Sequence, residues 1–267
     1  MHFLDSLDPK YRFILCDLWG VVHNGVQLHP GAARRLSQWQ AQGRSVVLIT
    51  NAPRPADAVA DQLARLGLPR ECWNAIVTSG EAGIAALKAE ARPVGFIGTA
   101  DDRAVVEGKG VLIAGDASFT ALGCTGLRED QPDPQSYRAE LERLAECDVH
   151  MHCLNPDRVV LHGGVAEACA GAIAGIYEML GGRVTWYGKP FAAIYEHALR
   201  EAGNPPNNQV LAIGDGLQTD MLGAARMGLD AVFVTPGIHA DEGFPPDFAE
   251  ANGLADWQPV AIVDGLG

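Results

Sequence analysis

Residues 13–25 read FILCDLWGVVHNG, and the order of residue types in this stretch decides the fold. Phe13, Ile14, Leu15 and Leu18 are apolar, so the first half reads as a buried strand. The second half, with Gly20, Asn24 and Gly25, reads as a polar turn. Asp17 stands where the apolar run gives out. In an open parallel sheet that is where ligand-binding residues are kept, outside the carboxyl ends of the strands.

Working outward, the first third of the chain repeats one unit. PGAARRLSQWQAQG after the first strand keeps helical spacing at Ala33, Leu36 and Trp39, with Pro30 suited to a first turn. SVVLIT is a buried strand, PRPADAVADQLARLG a helix that Gly67 can close, AIVTSG a third strand and EAGIAALKAE a third helix. Apolar strands alternating with amphipathic helices predict a parallel sheet covered on both faces. The tail repeats the pattern: strand VTWYG, helix PFAAIYEHALREAG, strand QVLAIG, helix LQTDMLGAARMG, strand AVFVTPG. Between them lie short strands and turns, a helix PQSYRAELERLAE, a strand running into a loop in DVHMHCLNPDRVVLHGG, and a small-residue helix VAEACAGAIAGIYEMLGG. The predicted fold class is α/β: a doubly wound, Rossmann-like parallel sheet core, residues 1–79 and 183–267, with an α/β cap domain inserted at 80–182.

The bulk numbers restrict the partners. A chain of 267 residues, 48% hydrophobic and 20% charged, can bury a sizeable core. Its net charge of −13 opposes binding to nucleic acid or to an anionic membrane. An anionic small molecule stays open, because a bound cation or a helix N-terminus can reverse the local field. The six cysteines are scattered without a C-x-x-C pair, no apolar run approaches membrane-span length, and the start MHFLDSLDPKYR lacks a secretory core. The expectation is a cytoplasmic protein with reduced thiols.

Polar groups gather at three strand ends: Asp17, Thr50 with Asn51, and Asp215; Lys189 lies between a strand and a helix. Taken singly they read as a cap, a turn or a solvated charge. Taken together, two carboxylates, a hydroxyl with an amide, and a cation suit phosphoryl transfer. An aspartate attacks phosphorus when its charge and the phosphate's are compensated. Paired carboxylates make a hard oxygen site for Mg²⁺, while Thr50 and Lys189 can hold the phosphoryl group and its developing charge.

These segments, DLWGVVHNG, LITNAP, YGKP and IGDGLQTD, resemble the four ordered motifs of the haloacid dehalogenase superfamily. The stretch from LNPDRVVLHGG to YGKP resembles its class IIA subgroup, which includes nitrophenyl-phosphate, phosphoglycolate, pyridoxal-phosphate and nucleotide phosphatases. Four motifs in order with the right gaps, spanning about residues 12–240, are far more specific than any one. The resemblance implies a Mg²⁺-dependent hydrolase of a small phosphorylated metabolite that works through an aspartyl-phosphate. Asp17 is then nucleophile and metal ligand, the Trp19 backbone carbonyl a second ligand, Asp215 the carboxylate ligand, and Asp220 a support for metal-bound water. Thr50 and Asn51 contact the phosphoryl group, and Lys189 pairs with Asp17 and phosphate. Asn155, Asp157 and Arg158 are the cap residues expected at the site, and relatives often pair through the cap as homodimers.

One position departs from the pattern. The family's phosphatases carry Asp two residues after the nucleophile as acid/base; here that position is Trp19, and an indole has no usable proton. Its main-chain carbonyl remains for the metal. Four readings follow: hydrolysis restricted to acyl or aryl phosphates, another acid such as His23, carbon–halogen chemistry by the same Asp, or a non-catalytic phosphate-ligand binder. A blander reading has Trp19 filling space under the cap with its large apolar surface. Elsewhere, the glycines of HGGVAEACAGAIAGIYEMLGG do not form a dinucleotide motif. In HMHC, 150–153, His150 and His152 share one strand face and Met151 and Cys153 the other, so those four residues do not make a Zn site together. His239, in a C-terminal loop, is a candidate for the rim of the site.

Overall fold

The structure, a computed structural model, describes residues 3–115, 118–235 and 244–267. The chain runs through β1 (Phe13–Asp17), α1 (Ala32–Ala41), β2 (Ser45–Thr50), α2 (Ala56–Arg65), β3 (Ala75–Thr78) and α3 (Ser79–Ala89). It then passes through β4 (Gly95–Ile97), α4 (Ala100–Gly108), β5 (Ala121–Cys124), α5 (Arg138–Glu146), β6 (His150–Cys153), β7 (Val159–His162), β8 (Val165–Ala168), α6 (Ala170–Met179) and β9 (Arg183–Trp186). It closes with α7 (Ala192–Glu201), β10 (Val210–Gly214), α8 (Leu222–Arg226), β11 (Asp230–Val234), α9 (Phe248–Ala251) and β12 (Ala261–Val263).

Among the described residues, six parallel strands form the main sheet in the order β12-β11-β10-β1-β2-β3. Strand alternation divides the apolar runs between two faces. Ile14, Cys16, Val46, Leu48, Leu211 and Ile213 pack with Leu36 and Trp39 of α1 and Leu63 of α2. Leu15, Val47, Ile49 and Ala212 pack with Ile194, Tyr195 and Ala198 of α7. Leu36, Leu48 and Ile14 are wholly buried, each stabilising the fold by about 1.5–3 kcal/mol. Covering both faces explains why these strands read as unbroken apolar runs.

The register positions the site. Asp17 lies level with Ile49, one residue before Thr50, and Cys16 lies level with Ile213, one residue before Gly214. The ends of β10, β1 and β2 therefore meet at the centre of the sheet, where the strand order reverses direction.

The second sheet, β4-β5-β6-β9, is also parallel, with α5 and α6 on one face and α3 on the other. Here the sequence reading needs two corrections. VTWYG, counted with the core at 183–267, supplies β9, whose register pairs His150 with Arg183 and Cys153 with Trp186, so it completes the second sheet. A short apolar strand carries no mark of which sheet it joins; tertiary pairing decides that. Second, VAEA is not the start of a helix. Val165–Ala168 pairs with Val159–His162 in an antiparallel hairpin, and α6 begins at Ala170. Gly163 and Gly164, both at positive φ, form its turn, a Gly-Gly signal legible in the sequence. Among the described residues, no helix is long and apolar enough to cross a membrane.

Candidate active site

Each side chain of the site is aimed by a local backbone device. Gly20, at φ +81°, follows β1; a Cβ there would lie 2.0 Å from Asp215 Oδ2, so only glycine lets the Asp215 carboxylate approach. Gly214 ends β10, and a Cβ there would lie 2.1 Å from Asp220 Cγ. Asp220 sits on a π-turn, Leu217–Met221, that leads into α8 and turns its carboxylate back toward the strand end. Gly188, at φ +98°, brings the Lys189 N–H to Asn51 Oδ1 at 2.7 Å. Ser79, at the start of α3, donates to the carbonyls of Asn51 and Leu154, tying the β2 loop to the end of β6.

At the centre, Lys189 Nζ lies 2.7 Å from Asp17 Oδ1 and 2.8 Å from Asp220 Oδ1. Asp17 Oδ1 also accepts from the Leu18 N–H at 2.7 Å. Asp220 Oδ2 accepts from the Gly216 N–H and the Thr219 hydroxyl. Carboxylate oxygens of Asp17, Asp215 and Asp220 lie within 4.8 Å of one another, all three buried. Three carboxylates against one ammonium leave a formal buried charge of −2 (−3 + 1). Burial, then the charge of Asp220, pushes the Asp17 carboxyl well above its usual range despite the ion pair with Lys189. The same two causes push Asp215 up to about 8. Burial would lower the Lys189 ammonium, but Asp17 and Asp220 outweigh it and hold the pKa well above the ordinary lysine value.

A divalent cation fits this donor set. Its charge cancels the excess, hard oxygen donors suit Mg²⁺ or Ca²⁺, and the Trp19 carbonyl oxygen accepts no hydrogen bond among the described residues. Asp17, Trp19, Thr50, Asn51, Asp157, Val160, Lys189, Asp215 and Asp220 all line one cavity of about 50 Å³. Asn51 Nδ2 donates to Asp157 Oδ1 at 2.8 Å, and Asn155 Oδ1 accepts from the Asp157 N–H at 3.0 Å. Thr50 accepts from the Ala52 N–H, which leaves its hydroxyl hydrogen free to donate. Asn155 lines an adjoining cavity rather than this one, and Arg158 lines an outer groove of about 770 Å³ that shares Asp157, Lys189 and Thr219 with it. His239 lies outside the described residues.

Trp19 roofs the cavity and holds the hairpin. Its Nε1–H donates to the Leu161 carbonyl at 3.0 Å, and its ring meets His162 edge-on at a centroid distance of 5.7 Å. The Gly163 N–H donates to the Asn24 carbonyl at 3.0 Å, a second tie between hairpin and core. Gly25 makes room: a Cβ there would lie 2.6 Å from both Trp19 and His162. The sequence reading missed the hairpin residues Val159, Val160 and Leu161, because they adjoin the site only through this tertiary docking.

His23 does not suit the acid's role. It is 3% exposed, its Nδ1 accepts from the Gly25 N–H at 3.0 Å, and its ring packs against Trp19. Burial, with a smaller contribution from His29, lowers its pKa to about 4, so at neutral pH it is not the imidazolium that a general acid would need. The lowered folded value means that this group's stability contribution is present above the unfolded pKa of about 6.5 and lost as pH falls through about 4. Urea unfolding between pH 7 and 4 should register a loss of about 3 kcal/mol in wild type that is largely absent in His23→Phe. Parallel pH profiles would refute the assignment.

Fold and site together define a class: a doubly wound α/β protein with a second, smaller sheet and a cluster of buried carboxylates at the strand ends of its main sheet. Comparison with known proteins gives the family. Residues 14–112 match the haloacid dehalogenase-like hydrolase model and residues 186–266 the HAD-hydrolase-like model. A haloacid dehalogenase-like hydrolase structure from Brucella suis 1330 shares 35% identity over 99% of this chain and 98% of its own, with a TM-score of 0.88. Ribonucleotide monophosphatase NagD of Escherichia coli K12 is 28% identical, covering 84% of this chain and 88% of its own length. A glycerol phosphate phosphatase from Mycobacterium tuberculosis, solved in complex with calcium, has a TM-score of 0.69 at 23% identity, covering 99% of this chain and 73% of its own. The chain belongs to the haloacid dehalogenase-like hydrolase family, class IIA.

Proposed function

We propose that this protein is a Mg²⁺-dependent phosphoric monoester hydrolase of small phosphorylated metabolites, selective for substrates whose leaving group needs no proton. The observation that carries this reading is the buried cluster of three carboxylates and one lysine lining a single small cavity. The phosphatase relative NagD supports the reaction class, and the calcium in the glycerol phosphate phosphatase structure supports a divalent ion. We divide the chain into a core and an inserted cap whose boundary lies after Trp186.

Asp17, Asp215 and the Trp19 carbonyl would hold Mg²⁺, with Asp220 behind them. Bound there, the ion supplies positive charge to phosphoryl oxygens. Asp17, fixed through Oδ1 by Leu18 and Lys189, attacks phosphorus and forms an aspartyl-phosphate as the P–O bond to the leaving group breaks and an aryloxide departs unprotonated. Thr50 donates its hydroxyl to a phosphoryl oxygen, the Asn51 amide stays oriented by Asp157 and Lys189, and Lys189 offsets the charge.

The cavity of about 50 Å³ is of a size for a phosphoryl group but not for the body of a metabolite, which would extend into the outer groove. There Trp186 and Phe191 stack at a centroid distance of 6.4 Å and Arg158 adds a charge. An aromatic wall beside a site without a proton donor favours aryl phosphates, whose phenolates leave unassisted. Against the binder reading stands the nucleophile's own arrangement, oriented by two donors as catalysis requires.

Calorimetry with Mg²⁺ tests the metal assignment. Asp215→Asn should bind about 100-fold more weakly than wild type, a loss of about 2.7 kcal/mol. Equal affinity would remove Asp215 from the ligand set.

A further inference from the structure

We propose a second metal site, for Zn²⁺, on the smaller sheet: Glu90, His150 and His152 supply three ligands on the face opposite α5 and α6. One ligand atom from each lies within 4.8 Å of the other two. Strand alternation puts both imidazoles on one face, their centroids 4.6 Å apart, while Met151 and Cys153 point into the core on the other. The third ligand comes from the end of α3, sixty residues earlier in the chain, where Glu90 Oε1 sits 3.2 Å from His152 Nε2. This partner is invisible in HMHC alone.

The surroundings suit a ligand set. Tyr187 Oη lies 2.8 Å from His152 Nδ1, and Thr185 Oγ1 lies 2.8 Å from His150 Nε2. A hydroxyl on the far ring nitrogen, as Tyr187 provides for His152, is the kind of outer partner that fixes ring direction in metal-ligating histidines, and with Thr185 on Nε2 the nitrogen of His150 left for an ion is Nδ1. Without metal the Glu90 carboxylate can only accept, so His152 Nε2–H donates to it and Nδ1 accepts from the Tyr187 hydroxyl; a bound ion would take the place of that Nε2 proton. Two close imidazoles and a carboxylate are nitrogen and oxygen donors of the borderline type Zn²⁺ takes, with a fourth position left for water. Glu90 is 31% exposed at its side chain, so the site opens to solvent. The bound ion would pin the end of α3, which leaves the main sheet at β3, to the strand β6.

Zn²⁺ titrated into the full chain, with excess Mg²⁺ present, is expected to show one tight equivalent per chain by calorimetry. Co²⁺ in its place should give the visible bands of a histidine-ligated ion, not those of an all-oxygen site. Glu90→Gln should weaken Zn²⁺ binding about tenfold and His150→Asn about 100-fold. Both should retain their circular dichroism and Mg²⁺-supported turnover, because neither residue lines the active-site cavity. The proposal is overturned if wild type binds no such equivalent, or if wild type, Glu90→Gln and His150→Asn bind Zn²⁺ alike.

Discussion

Asp17→Asn is expected to remove phosphate release altogether, a fall of at least about 10⁴-fold in kcat on p-nitrophenyl phosphate with Mg²⁺. An amide oxygen is a poor nucleophile and cannot carry a phosphoryl group as an acyl phosphate. The variant should nonetheless fold: Asn keeps the size of Asp17 in its buried position, and the amide oxygen can still accept from the Leu18 N–H and Lys189. It also removes one of three buried carboxylates that share a single ammonium, which relieves repulsion with Asp220. The variant should therefore be at least as stable as wild type in metal-free buffer. Asp17→Ala guards against slow reversion of Asn by deamidation. Residual turnover within tenfold of wild type in both variants would mean that Asp17 is not the nucleophile. Phosphate binding that persists without turnover in wild type itself would favour the non-catalytic reading.

Trp19→Asp is expected to raise turnover of alkyl phosphate esters by about 10²–10⁴-fold, the usual contribution of a positioned general acid. Aryl phosphates, whose leaving groups need no proton, should change by far less. The substitution has a second consequence, because Trp19 holds the β7–β8 hairpin through its bond to Leu161 and its edge contact with His162. KM should therefore rise as kcat does. Trp19→Phe separates the two effects: it keeps a ring over the cavity, forgoes a hydrogen bond with a net contribution of about 1 kcal/mol, and supplies no acid. Its alkyl-ester turnover should stay at the wild-type level. Asp157→Asn completes the set, since Asp157 lines the same cavity and burial raises its carboxyl. On the proposed reading it lowers both ester classes together, by loosening Asn51. A selective loss of alkyl-ester turnover would instead make Asp157 the proton donor. Flat alkyl turnover in Trp19→Asp, with Mg²⁺ binding intact, would show that the missing acid is not the bottleneck.

Much of the site was legible as a linear text because of how parallel sheets work. Residues at the carboxyl ends of successive strands converge, so the sequence groups Asp17, Thr50, Asn51 and Asp215 with the nearby cation Lys189, while Asp220 follows from the motif resemblance. Less legible was what converges from the side. Asp157 gains its position by accepting from Asn51 across 106 residues. Val160 and Leu161 reach the site on a hairpin whose Gly163-Gly164 turn carried a usable signal, but whose docking depended on Gly25 and Trp19. His23, the nearest titratable residue in sequence, folded into a dry contact that keeps it neutral.

By itself the sequence determined the doubly wound core, through apolar strands of the right length alternating with helices whose faces they cover. It determined the identity of the polar groups at the strand ends, because strand polarity puts them on one edge. Only the tertiary structure decided that Arg183–Trp186 joins the second sheet, that Trp19 is a roof bonded to Leu161, and that Glu90 meets His150 and His152. The reason is physical: local periodicity specifies which face of an element is buried, whereas partners far apart in the chain are chosen by packing, which no local pattern encodes.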